Sequence, residues 1–371
     1  MQRKLKILQL VNVRWFNACA WYALNLSLGL RERGHRVIFA GGKGNPVLGK
    51  AREFGLPVVN LISDKLNPHR VASNLLHLSS LMKEESIDLI NAHRGEDHLY
   101  GSLMRARYRG IPLVRTRGDV RPPKNNPFNL LLHRHLTDMV IITCSSLKSP
   151  LRKLGLREEV IEVVLPGVDT NYYQPLTRPT KAKRSLGIDG STPLVGMVGR
   201  LSPVKGHRFF IEAASHVVQT VAEAKFLIVG QDAQSSSSDL EKVAASKEIL
   251  DRFIFLPYQE DIRDTISALD LGVIASTGSE TICRVALEFM AMGKPVVGTA
   301  VNSIPELIVD GLNGIIVPTE QPMALAEAIV ELLKNRDKRE EFSLEARRRA
   351  AEDFSIRKMA ETTERLYYDL L

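Results

Sequence analysis

The sequence predicts a two-domain α/β protein in which each domain is a doubly wound parallel sheet. Three observations predict it. Short apolar runs of strand length alternate with runs of helical spacing through the first half of the chain, the pattern of βα units that bury a parallel sheet between helices. The same strand, loop, helix order returns in the second half, around Thr192 to Val198 and Leu271 to Ser276. The 371 residues make two domains the natural expectation, and an apolar fraction of 44% allows sizeable cores.

The first strand, Leu5 to Val11, opens almost at the N-terminus. Only Met-Gln-Arg-Lys precedes it, and the polar Asn12, Arg14 and Asn17 come directly after it, so this start reads as a strand and not as a signal peptide. Strand candidates recur at Arg36 to Ala40, Val58 to Leu61, Asp88 to Ala92, Leu113 to Thr116 and Met139 to Thr143, with helical runs between most of them. Thr177 to Lys183, rich in Pro, Thr and charge, marks a domain boundary. Thr192 to Val198 is an apolar run ending in Gly199-Arg200 and suits a buried strand. Ser202 to Gly206 is turn chemistry, and Arg208 to Val218 has helical spacing. Ser235 to Ser238 reads as a four-serine surface loop with no assignable chemistry. After the buried strand Leu271 to Ser276, apolar residues dominate from Ile282 to Met292, and the run stops at Gly293 with Pro295 beyond, which are helix stop signals.

Open α/β sheets bind ligands in loops at the carboxyl ends of their strands. The loop after Val198 offers Arg200 and Lys205, a planar fork of donors and a compact charge, and both suit a diphosphate. No Gly-Lys-Ser/Thr comes after the glycine pattern, so this is not a P-loop. The plainer alternative is an ordinary turn with two solvated cations. Glu280 and Glu288 stand eight positions apart. Glu280 would precede a helix whose first N–H groups, on Thr281, Ile282 and Cys283, point outward and favour an anion. The carboxylates of Glu280 and Glu288 would accept bonds from sugar hydroxyls and from a ribose diol. Alternatively Glu280 only caps the helix, and Glu288 is a solvated or paired helix residue.

Together these motifs resemble the donor half of the retaining glycosyltransferases of family 4, the group 1 glycosyltransferases, which have the GT-B fold. The resemblance is carried by Gly199-Arg200, the downstream Lys205-Gly206, the glutamate pair with seven intervening residues, and the Gly293-Lys-Pro-Val-Val strand entry. Ser303 to Pro318 is also similar to the family, and Val163 to Asp169 looks like its strand into the interdomain linker. The resemblance implies an acceptor-binding domain over 1–170, joined by a crossover helix at 355–371. It implies a linker at 171–184 and a nucleotide-sugar domain at 185–354, the two domains facing each other across a cleft. It implies a nucleoside diphosphate sugar as donor, no cofactor and no metal. Gly199, Arg200, Lys205, Glu280, Thr281, Ile282, Cys283 and Glu288 would bind the donor. Arg200, Lys205 and Glu280 would share the catalysis with His93, which tops the strand Asp88 to Ala92 and matches the family's histidine near the transferred sugar. The chain departs from the family pattern in two places. Thr281 and Cys283 stand where glycines are usual, and Arg14-Trp-Phe-Asn-Ala-Cys-Ala20 replaces a Gly-Gly-rich acceptor loop, in which Asn17 still offers an amide.

Charge divides unevenly. Residues 1–175 hold 26 Lys and Arg against 14 Asp and Glu, a balance of +12, and the rest holds 24 against 28, a balance of −4, which together give +8. A basic first half faces something anionic. Arg117 and Arg121 come after the strand Leu113 to Thr116 and would grip an anionic acceptor, unless Asp119 neutralises one of them within the loop. The expected acceptor is an anionic glycan or glycolipid, such as a lipopolysaccharide core, with peripheral contact to the inner membrane surface. Nucleic acid is the weakest option, because no binding motif accompanies the charge. Cys19, Cys144 and Cys283 are odd in number and widely spaced, which suits a reducing cytosol and neither a disulfide framework nor a metal site. No apolar run approaches the roughly 18 residues needed to span a bilayer. A nucleotide-sugar epimerase of the same fold and a non-catalytic glycan-binding protein are the rival expectations.

Overall fold

The computed structural model describes residues 3–62, 67–176 and 179–371. The chain divides into two compact units, Met1–Gly167 with Ser355–Leu371, and Val168–Phe354. Met1 and Gln2, and Thr177 and Arg178 of the expected boundary, lie outside the described residues. The rest of the segment 171–184, expected as a linker, is counted with the second unit, where Lys183 donates to Asp270 Oδ2 at 2.8 Å and to Thr192 O at 2.7 Å.

The first unit holds seven parallel strands: β1 Lys6–Leu10, β2 Arg36–Gly42, β3 Val58–Leu61, β4 Leu89–Ala92, β5 Leu113–Arg117, β6 Met139–Ile142 and β7 Ile161–Val163. Their order is β3-β2-β1-β4-β5-β6-β7. Both faces of the sheet are covered, as its nearly unbroken apolar strands require. Alternate residues of β4 show this. Ile90 and Ala92 join a core with Leu78, Met82, Tyr100 and Met104, from the helices Pro68–Glu85 and Gly95–Arg107. Asn91, between them, instead donates to Tyr367 Oη at 2.8 Å, on the closing helix Ile356–Tyr368. That helix packs on Ala18–Glu32, where a Cβ on Gly29 would come within 2.7 Å of the Ala360 Cβ. Glu364 fastens it further, accepting from Arg33 and pairing with His35 Nε2 at 2.7 Å.

The second unit repeats the plan with six parallel strands: β8 Leu194–Val198, β9 Lys225–Val229, β10 Phe253–Leu256, β11 Leu271–Ile274, β12 Val296–Thr299 and β13 Gly314–Val317, in the order β10-β9-β8-β11-β12-β13. Its core joins strand residues such as Val195, Met197 and Phe226 to Phe210 and Ile329, from the helices His207–Thr220 and Pro322–Lys334. In both sheets the order reverses beside the first strand, between β1 and β4 and between β8 and β11. Such a switch point is where a doubly wound sheet opens a crevice at its strand ends.

Three local expectations are corrected. The strand expected at Val163 to Asp169 lies instead at Ile161–Val163; Pro166 has no N–H to continue a ladder. The helix expected from Ile282 begins at Arg284. The serines at 235–238 are not only loop: Ser236 caps the helix Ser237–Ser246 in a reciprocal capping box with Asp239.

Candidate active site

The second unit gathers its candidate residues at the β8/β11 switch point. Gly199 continues β8 by donating to Val229 O at 2.9 Å, and Leu201 does the same to Gln231 O at 2.9 Å. The chain then turns through Pro203–Lys205 into the left-handed Gly206, φ 77°. Only glycine fits there, since a Cβ would lie 1.9 Å from Ala275 O at the exit of β11. Thr277 N donates to Val204 O at 2.9 Å, so the two loops are stitched together. This brings Lys205 onto Glu280: the Nζ donates to Oε1, which also accepts from Ser276 Oγ at 2.6 Å. Glu280 is 2% exposed. Burial alone would lower the Lys205 ammonium, but the Glu280 carboxylate outweighs it and holds the value above the usual lysine range. Arg200 is exposed, and its guanidinium makes no ion pair among the described residues.

Glu280 is therefore not a helix cap. Its backbone is held out of the helix because its carbonyl accepts from Ser303 N at 2.9 Å and Ser303 Oγ at 2.6 Å. Ser279 before it sits at φ 66°. The helix starts only at Arg284, after Cys283, so Thr281, Ile282 and Cys283 are buried residues of the approach and not its first turn. Cys283 lies beside Glu280, and burial first, then that carboxylate, push its thiol well above the ordinary range. Glu288 is buried one turn into the helix Arg284–Ala291, where Arg284 Nε donates to its Oε1 at 2.5 Å. The Tyr173 phenol, raised by burial and by the Glu288 carboxylate, sits against the same pair. Ser276, Ser303 and Tyr173 carry no sequence signal, being brought in by topology. The Arg284–Glu288 spacing of four did carry one.

In the first unit His93 tops β4 as expected and is 4% exposed. Its Nε2 donates to Gln9 Oε1 at 2.8 Å, the tautomer that leaves Nδ1 an acceptor. Burial, and then Arg115, push it down to about 3, so the ring is neutral. The Oδ1 of Asn17 accepts from Ala20 N at 3.1 Å and caps the helix Ala18–Glu32. Of the loop arginines, Arg121 is exposed and paired with Asp119, by 3.0 Å from its N–H and 3.3 Å from its guanidinium. Arg117 is buried, donates to Arg121 O, and is lowered by burial. Both line a cavity of about 390 Å³ within the first unit, together with His93. Arg115, His98 and His133 also line it, and none of these three was singled out from the sequence. No group of three or more His, Cys, Asp or Glu placed to hold a metal ion occurs among the described residues, and no helix there is long and apolar enough to cross a membrane.

The two-sheet architecture and its switch-point loops are those of the GT-B class. A glycosyltransferase from Rickettsia africae superposes with a TM-score of 0.88 at 20% identity, covering 100% of this chain and 99% of that one. The Anabaena protein HepE, solved in complex with UDP, gives 0.87 at 22% identity, covering 98% and 100%. The family described as glycosyl transferases group 1 matches residues 179–349, and glycosyltransferase family 4 matches 20–172. The chain belongs to these group 1, family 4 glycosyltransferases and is a glycosyltransferase of GT-B type. Among its relatives, the N-acetyl-alpha-D-glucosaminyl L-malate synthase of Bacillus anthracis is 26% identical over 366 residues, 92% of this chain and 91% of that protein. The lipopolysaccharide core biosynthesis mannosyltransferase LpsB of Rhizobium meliloti is 28% identical over 214 residues, 56% and 61% of the two chains.

Proposed function

We propose that the protein is a retaining hexosyltransferase that moves a sugar from a nucleoside diphosphate sugar to a glycan or lipid-linked acceptor, in the assembly of lipopolysaccharide or another cell-surface polysaccharide. The observation that carries this is the meeting of Arg200, Lys205 and Glu280 at one switch point. Lys205 has three donors, of which Glu280 occupies one, so two remain for phosphate oxygens. Arg200, exposed beside it, supplies a bidentate fork. HepE, of the same fold, has been solved in complex with UDP-glucose, and LpsB, a sequence relative, is a lipopolysaccharide core mannosyltransferase.

The acceptor hydroxyl attacks the anomeric carbon on the face from which the diphosphate departs. The carbon–oxygen bond to the diphosphate breaks as the new glycosidic bond forms, and the hydroxyl proton passes to a leaving phosphate oxygen. Arg200 and Lys205 offset the charge that grows on that oxygen. Glu280 accepts from hydroxyls of the transferred sugar, and neutral His93 offers Nδ1 as an acceptor to a substrate hydroxyl. Glu288 serves the ribose only if it shares Arg284 with that diol. No metal or cofactor takes part. The enzyme works on the cytoplasmic side, against the inner membrane surface.

Transfer assays with Glu280→Gln test this. Turnover should fall while nucleotide affinity stays within a few-fold, because the amide keeps shape and loses charge. Unchanged turnover in this variant would remove Glu280 from the reaction. Consumption of the nucleotide sugar to an epimer without any acceptor would replace transfer with epimerisation.

A further inference from the structure

We infer that the cavity of the first unit receives a phosphate monoester carried by the acceptor, with Arg115 and Arg117 as its buried contacts; this rests on the glycosyltransferase reading above. The volume, about 390 Å³, suits a sugar-sized phosphorylated group and not an extended glycan. The lining carries five permanent cations, Arg94, Arg115, Arg117, Arg121 and Lys124, against one carboxylate, Asp119. Asp119 is committed to Arg121. The other four cations have no ion-pair partner among the described residues.

Two buried polar atoms of the lining lack any hydrogen-bond partner: Arg115 Nε and His133 Nε2. Arg115 is 4% exposed and His133 5%. The Arg115 guanidinium is anchored by donating from Nη1 to Ala92 O at 2.9 Å and to Thr116 O. Burial, and then Arg117, push it down to about 9, and the nearby buried Asp97 carboxylate offsets this only in part. A phosphate monoester carries close to two negative charges and three acceptor oxygens, whereas a carboxylate would answer only one of the two buried guanidiniums. His133 plays a different part. Its Nδ1–H donates to Asn129 O at 2.9 Å, so the orphaned Nε2 is a lone pair and accepts a hydroxyl of the group that bears the phosphate.

The phosphate can come from a soluble phosphorylated polyol or from a phosphorylated lipid headgroup. Calorimetric titration of the whole chain with inorganic phosphate and with glycerol 3-phosphate, and flotation with vesicles containing phosphatidic acid or phosphatidylglycerol, separate these sources. Saturable binding of glycerol 3-phosphate with no preference among the vesicles assigns a soluble acceptor. Preference for phosphatidic acid over phosphatidylglycerol assigns a lipid one. In either case Arg117→Gln should weaken phosphate about tenfold or more, Arg115→Gln at least as much if it folds, and the off-site Arg107→Ala hardly at all. UDP affinity should be the same in wild type and Arg117→Gln, so loss of UDP binding from the wild type would fault the donor reading and not this one. The inference is overturned if phosphate does not bind, if Arg117→Gln binds it as tightly as wild type, or if succinate binds as tightly as phosphate.

Discussion

The two units treat charge in opposite ways. At the switch point of the second unit every buried ion has its counter-ion: Lys205 lies on Glu280, and Arg284 on Glu288. Around the cavity of the first unit, Arg115 and Arg117 are buried without an ion-pair partner among the described residues, and Asp97 and Asp119 act on them only from a distance. Both arrangements suit anions, by different routes. A paired lysine is held in place and shares its remaining donors with a ligand, while an unpaired buried guanidinium waits for the ligand to complete it. Removing charge should therefore have opposite effects on the stability of the two units.

The largest effect should come from breaking a pair. Lys205→Ala leaves Glu280 buried and without its cation, which should cost about 3–5 kcal/mol of unfolding free energy. Glu288→Ala should cost less, because Arg284 is about a third exposed to water and also meets Tyr173. Arg200→Ala, at an exposed side chain, should cost almost none. Denaturant melts of the three variants measure this, and equal losses would erase the distinction between paired and free cations.

Acid should come next. His93, His133 and His207 are held neutral, mainly by burial, at about 3, 4 and 4, and His98 well below its usual value. The unfolded chain takes up these protons near pH 6.5, whereas the folded chain does not, so stability is full above that pH and falls as pH drops toward the folded values. His93, His133 and His207 should each contribute a loss on the order of 3 kcal/mol by pH 4, and His98 a loss of the same sign. Because three of the four lie in the first unit and one in the second, the first should unfold earlier in an acid titration followed by hydrogen exchange. Simultaneous loss would show that the histidines do not set the order.

The smallest effect distinguishes the units most finely. Arg117→Met replaces a buried cation with an apolar chain of similar length. It should leave stability unchanged or raise it by about 1 kcal/mol, the reverse of Lys205→Ala. A loss of several kcal/mol would mean that Arg117 holds the loop and does not wait for a ligand.

Most of the fold was legible because parallel strands buried on both faces announce themselves as apolar runs, and the starts or ends of β1 to β6 fall within two residues of expectation. Errors came where a tertiary bond decided. The helix at Arg284 starts late because Ser303, twenty-three residues on, holds the Glu280 carbonyl. Arg117 and Arg121 were legible as a pair of loop cations; that Asp119 would choose Arg121 and leave Arg117 buried was set by the loop's path, which a sequence does not state. Arg115 was hidden because a strand arginine reads as an edge or surface residue until the strand is seen to be central.

The central claim is that the second unit holds a nucleoside diphosphate through Arg200 and Lys205. Calorimetric titration of UDP, GDP and ADP into wild type and Arg200→Ala tests it most directly, since this substitution leaves the Lys205–Glu280 pair intact. At least one nucleotide should bind the wild type, and Arg200→Ala should weaken it by about 1.5–3 kcal/mol, roughly ten- to hundredfold. Equal affinity in the two proteins, or no nucleoside diphosphate bound by the wild type, would contradict the account.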